Sequence, residues 1–310
     1  MTDADKSPAA TTPSTGPVLV LDNNVLRDES IIERCFARYR QTGEQIALPE
    51  MAMFELTKHP DKWEHTVRRS LACLSRCPEA LVITHAAKAL GQDEEATGNP
   101  TSGVVNERMT TAWRRLLHDL REGDGPDLDY FKWAVANLRK ELRYEEYETD
   151  TLALIQSLTS SARSSFPADV LAPVGRDLER DDRGSFRGLL IGVMRIEHQR
   201  DAHVRRGVAK AVADGLLVAP AVSYLFAFAV GAIALEWTVR GGIESANPRR
   251  VANDVLDIEY GMAALWIGRL VAKDAGARQR FEDLKVLGAA TWPNHREWFQ
   301  RAEAVSPAAL

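Results

Sequence analysis

Cysteine is scarce in this chain. Its three cysteines, Cys35, Cys73 and Cys77, cannot make an even disulfide framework, and no charged-then-apolar leader opens the sequence. A reducing, cytoplasmic setting is the expectation. Cys73 and Cys77 stand one helical turn apart with no second Cys or His pair at zinc spacing, so they read as buried structural thiols. Positive charge is not in excess either. Against 44 Asp and Glu there are 39 Lys and Arg, a formal net charge of −5, which excludes a global attraction for phosphate polymers and leaves nucleic-acid contact to local patches. Also missing are GxSxG, HExxH and GxxxxGK[ST], so nucleophile-elbow acyl transfer, zinc proteolysis and P-loop chemistry have no support. The histidines, among them His59, His85 and His295, form no i, i+4 metal pair with a third ligand and are assigned no catalysis.

Long apolar runs are limited to one. Gly215 to Leu235 carries no charge and is long enough to span a bilayer. Pro220 interrupts it, Ala and Gly are frequent, and no Lys/Arg asymmetry flanks it. It is expected to be a buried helix of an α/β core, with no membrane association.

What is present is a chain of 310 residues, 45% apolar and 27% charged, long enough for one domain with a large insertion or for two domains. Residues 1–16 are Ser, Thr, Pro and Ala with few large apolar groups, and read as a disordered tail. PVLVLDNNVL then predicts a buried parallel strand ending at Asp22, followed by a helix over roughly Glu29 to Arg40. QIALPEMAMFEL predicts a strand over Gln45 to Leu48, with Pro49 in the first turn of a helix that carries Glu55. From about Asp61 to Ala213 amphipathic helical patterns alternate with Gly/Pro/Asp breaks, with one short strand over Ala80 to Thr84. Near the end, ANPRRVANDVLDIEYGMAALWIG predicts a helix starting near Asn253. RLVAKD then predicts a strand ending on Asp274, AGARQRFEDL a helix and KVLGAA a last strand. Strand and helix alternate at both ends of the chain, which argues for an α/β fold built on a parallel sheet. Its core would comprise residues 17–60 and 215–310, with a mainly helical insertion over 61–214.

Carboxylates at the carboxyl ends of parallel strands point into the crevice where such sheets bind ligands. Asp22 and Asp274 hold those places, Asp254 and Asp257 share a helix face, and Glu55 and Glu259 add further acids. Crowded carboxylates are costly unless a cation neutralises them. Hard oxygen donors suit Mg²⁺ or Mn²⁺. Each acid also has a structural reading. Asp22 and Asp274 could cap helices, Glu55 could pair with Lys58, and Asp254 could complement a helix dipole. Paired bases such as Arg68–Arg69, Arg114–Arg115, Arg139–Lys140, Arg205–Arg206 and Arg249–Arg250 are candidates for phosphate contact. Trp63, Trp113 and Trp133 could stack on bases or sit in the core.

Taken in order, VLVLDNNVL, LPEMAMFEL and NDVLDIEYGMAALWIGRLVAKD resemble the PIN-domain ribonucleases. The resemblance implies a PIN-like three-layer core and a metal site of Asp22, Glu55, Asp257 and Asp274, with Asn24 and Asp254 auxiliary. It further implies Mg²⁺- or Mn²⁺-dependent endoribonuclease activity on RNA, single-stranded RNA among the substrates. Toxin-like members of that family also imply a regulatory protein partner and an oligomer. Two alternatives stand beside it. One is a non-catalytic PIN-like scaffold. The other is a haloacid dehalogenase-type phosphatase, disfavoured because Asn24 stands where a second Asp is needed.

Overall fold

The computed structural model describes residues 18–59, 61–97, 103–122, 126–141, 144–201, 221–241, 243–244 and 246–310. The expected tail over residues 1–16 lies outside the described residues, as do Arg205–Arg206, the side chains of Arg139–Lys140 and the first part of the long apolar run.

Five short strands form one all-parallel sheet in the order β3-β2-β1-β4-β5: β1 Val18–Leu21, β2 Gln45–Pro49, β3 Leu81–Thr84, β4 Gly268–Val271 and β5 Glu303–Val305. The central strand VLVL is apolar at every position and buried throughout, as a parallel strand covered on both faces requires. Its register sets Val20 beside Ala47 on one side and Leu270 on the other. Gly268 lets β4 begin close against β1, because a side-chain carbon there would collide with the Val18 carbonyl.

Helices connect the successive parallel strands, as parallel pairing requires. Glu29–Thr42 joins β1 to β2 and Met51–Thr57 follows β2, both packing on β2. Pro248–Ile267 leads into β4 and packs on β1, β2 and β4, and Ala275–Thr291 packs on β5. The expected parallel α/β architecture is therefore present. Strands and helices share one large apolar core containing Leu19, Leu21, Phe36, Leu48, Leu265 and Phe281.

Several expected boundaries are corrected. The helix before β4 starts at Pro248, not near Asn253, because Asn247 accepts a hydrogen bond from the Arg249 amide at 3.0 Å and Pro248 suits the first helical position. Asp254 is thus inside the helix and not in its first turn. KVLGAA is not a strand: it continues the helix Ala275–Thr291, where Phe281, Leu284 and Leu287 recur at helical spacing on the buried side. The last strand is Glu303–Val305, three residues at a sheet edge with too little pattern to signal itself. Pro49 ends β2 and the following helix begins at Met51. β3 falls inside the stretch expected to be a helical insertion, so that stretch also supplies the sheet's other edge.

After β3 come the helices Ala87–Thr97, Glu107–Glu122, Pro126–Glu141, Tyr144–Ser165, Ala168–Glu179 and Gly184–Asp201. The apolar helix Val222–Val239 is long and apolar enough to cross a membrane by length and composition, with 50% of it buried inside the protein. It packs against Ala87–Thr97, Tyr144–Ser165 and Pro248–Ile267. Its start is held by Glu94, wholly buried, whose carboxylate accepts from the Val222 and Ser223 amides at 3.0 and 3.1 Å.

Candidate functional site

The strand order reverses at β1: β2 and β3 lie to one side, β4 and β5 to the other. Open parallel sheets bind ligands in the crevice beyond the carboxyl ends of the strands at such a switch point. Asp22 is the first residue past β1, its amide bonded to the Val271 carbonyl of β4 at 3.0 Å. That bond extends the pairing of β1 with β4 to Asp22, which is 4% exposed.

Four elements bring acids to this place. Asp22 follows β1, Glu55 comes from the short helix Met51–Thr57, Asp257 from Pro248–Ile267, and Asp274 from the turn after β4. Their proximity shows in their mutual charge effects. Burial, and next the charge of Glu55, push the Asp22 carboxyl from 3.8 up to about 6, with Asp274 adding to the rise and Asn24 opposing it. Burial raises Asp257 to about 7 against the opposing Arg280 guanidinium, with Asp22 and Glu55 contributing. Asp254 is raised as well, mainly by burial.

Neutral and cationic groups organise the acids. Asn24 Nδ2 donates to Asp22 Oδ2 at 3.4 Å, and the Tyr260 hydroxyl donates to Glu55 Oε2 at 3.0 Å. Tyr260 is buried one helical turn from Asp257, on the same face. Arg280 Nη2 reaches Asp257 Oδ2 and lies 3.1 Å from Asp254 Oδ1, bridging the two. Asp274 Oδ1 caps its own helix, accepting from the Gly276 amide at 2.6 Å. Lys58 does not pair with Glu55; it donates to Asn253 Oδ1 at 2.8 Å.

Each expected residue thus has a definite place. Asp22, Glu55, Asp257 and Asp274 lie close enough for their charges to act on one another, Asp22 buried and Asp274 exposed, and Asn24 touches Asp22. Asp254 belongs to the Arg280 bridge. Glu259 is elsewhere: two residues from Asp257 it points to the other side of the helix, where it accepts from the Ala87 amide at 2.6 Å. Burial raises Glu259 to about 7. Tyr260 and Arg280 were not foreseen. Tyr260 had a weak signal in its spacing from Asp257, whereas Arg280 sits in an ordinary helical pattern.

The donor set is all oxygen, which suits a hard divalent cation. Among the described residues no ion pair reaches Asp22, Glu55 or Asp274, and there the fit to a cation is best. Asp257 already has Arg280. As the side chains stand, no three His, Cys, Asp or Glu among the described residues form a ready cage. A cation would have to draw the acids inward and displace the guanidinium.

The other anticipated contacts are mostly structural. Trp113 is buried and Trp63 packs edge-on against Phe131. Arg68 pairs with Glu64, and Arg114 holds the Leu81 and Glu79 carbonyls. Trp133 is 62% exposed beside Tyr130. All three thiols are free, Cys35 and Cys77 buried and Cys73 half-buried. No family model matches the chain, and neither a curated protein nor a solved structure is significantly similar to it.

Proposed function

We propose that this chain is a PIN-like, Mg²⁺- or Mn²⁺-dependent endoribonuclease. The observation that carries the reading is the pair Asp22 and Glu55, neighbouring carboxylates near the switch point of a parallel sheet, neither in an ion pair among the described residues although Lys58 lies within reach of the Glu55 charge. Burying charge without compensation costs stability, and a divalent ion supplies the compensation. The all-parallel order, with one acid after β1 and another after β4, agrees with the family's order of motifs.

Asp22, Glu55 and Asp274 would hold the ion, with Asp257 joining them on release from Arg280. Such an ion lowers the pKa of a water and stabilises charge on a phosphate oxygen. The protein's own part is positional. Asn24 and Tyr260 orient Asp22 and Glu55, the sheet fixes their spacing, and Arg280 is a cation close enough to meet an incoming phosphate. Asp22→Asn and Asp257→Asn should each abolish Mn²⁺-dependent cleavage of single-stranded RNA while circular dichroism shows an intact fold. Unchanged cleavage removes both residues from the mechanism.

A second reading is favoured by one observation, the Arg280 bridge across Asp254 and Asp257. It makes the chain a PIN-like scaffold whose acid site is closed by its own arginine. Absence of Mn²⁺ binding by calorimetry, together with no cleavage of RNA or single-stranded DNA, would select it.

A further inference from the structure

Beside the acidic crevice lies an open cleft of about 510 Å³, within the size range of small-ligand sites. Its walls come from the turn before Gly184–Asp201, the end of Val222–Val239, the start of Pro248–Ile267 and the first turns of Ala275–Thr291. Four arginines line it: Arg183, Arg240, Arg250 and Arg280. So do three acids, but two of them are already occupied. Glu236 accepts from Arg183 and Arg240, and Asp254 from Arg280. Asp181 is exposed at the rim.

These pairings hold the arginines in place without exhausting them, since each guanidinium carries five N–H donors in a fixed plane. Arg240 and Arg250 are exposed, and Arg250 makes no ion pair among the described residues. Its guanidinium stacks instead over the Trp237 ring, 5.6 Å from the centroid. Two exposed arginines lining one cleft with an indole match a phosphate joined to a flat base.

We propose that this cleft is a binding site for the phosphate of a nucleotide, with Arg240 and Arg250 as its donors and Trp237 beside the base. The site shares Arg280 and Asp254 with the acidic crevice, so it deepens the nuclease reading and rests on it for the identity of a polymeric ligand. A free mononucleotide offers the same chemistry.

The test is calorimetry in EDTA at low salt, where no metal-dependent cleavage interferes, using a single-stranded oligoribonucleotide and a nucleoside monophosphate as probes. Wild type should bind at least one. Arg250→Ala should weaken binding about tenfold, Arg250→Lys should restore part of it, and Arg240→Ala with Arg250→Ala should abolish it. For the oligomer, loss of one arginine should also reduce the salt slope by about one. Much tighter binding of the oligomer identifies a polymer site, and equal binding identifies a free-nucleotide site. Failure of both probes to bind, or binding unchanged in the double variant, overturns the proposal. Asp22→Asn separates the two ideas. Arginine-dependent binding that survives it, with no Mn²⁺-dependent cleavage by the wild type, leaves the cleft standing and removes the nuclease. Asp22-dependent cleavage with arginine-independent binding does the reverse.

Discussion

Two groups of acids, one around the buried Asp283 and one around the buried Asp22, lie near Arg280 and are built on opposite terms. In the helical region Asp283 is 3% exposed yet receives Arg183 Nε at 2.9 Å and Arg187 Nε at 2.7 Å. Its neighbour Glu236 is held by Arg183 and Arg240. Burial alone would raise the Glu236 pKa, but these arginines outweigh it and lower it. In the crevice at β1, Asp22 is buried to the same degree with only Asn24 to hold it, and its pKa goes up. The first cluster is finished as it stands. The second remains short of positive charge, the condition in which a site stores affinity for a cation at the expense of stability.

The largest effect is expected where the finished cluster loses its arginine. Arg183→Ala leaves Asp283 and Glu236 buried with partners missing and should destabilise the fold by about 3–5 kcal/mol, measured by chemical denaturation. Arg183→Met, which fills the volume, should also unfold more easily but by less. A loss indistinguishable from zero in both would show that the network carries no weight.

Asp22→Asn should act in the opposite direction. Folded Asp22 keeps its proton to about pH 6, whereas an unfolded Asp releases it near 3.8, so metal-free wild type loses stability as pH rises between these values. At pH 8 the variant should be more stable by up to about 3 kcal/mol, the free-energy equivalent of that pKa difference. Below pH 4 the advantage should vanish. Denaturation curves at the two pH values check the sign. A variant less stable than wild type at pH 8 would mean that Asp22 is compensated after all.

Arg280 joins the two clusters, and Arg280→Gln sharpens the contrast by a smaller step. Freeing Asp254 and Asp257 should tighten Mn²⁺ binding about tenfold, roughly 1.4 kcal/mol. Equal affinity by calorimetry would show that the guanidinium does not compete with the ion.

Much of the frame was legible in the residues. VLVL, with β-branched Val at alternate positions and followed by a polar turn, reads as a strand buried on both faces, and the acid that follows it stands at that strand's carboxyl end. The helix carrying Asp257 was visible from its apolar period. Its start was misplaced because the Asn-Pro cap at Asn247 lies in a polar stretch that the period does not reach. KVLGAA was misassigned because a short apolar run fits a strand or a buried helix equally, and only packing against the core selects between them. Glu259 and Asp257 look alike in sequence, but a two-residue step on a helix turns them to opposite sides.

By itself the sequence determined the alternation of strands and helices, and with it a parallel sheet having acids after its first and fourth strands, because backbone preference and apolar period are local properties. Tertiary structure alone decided which acids share a crevice, that Arg280 bridges two of them, and that four arginines from four segments open on one cleft. Those outcomes depend on distances between residues far apart in the chain, which no local pattern encodes.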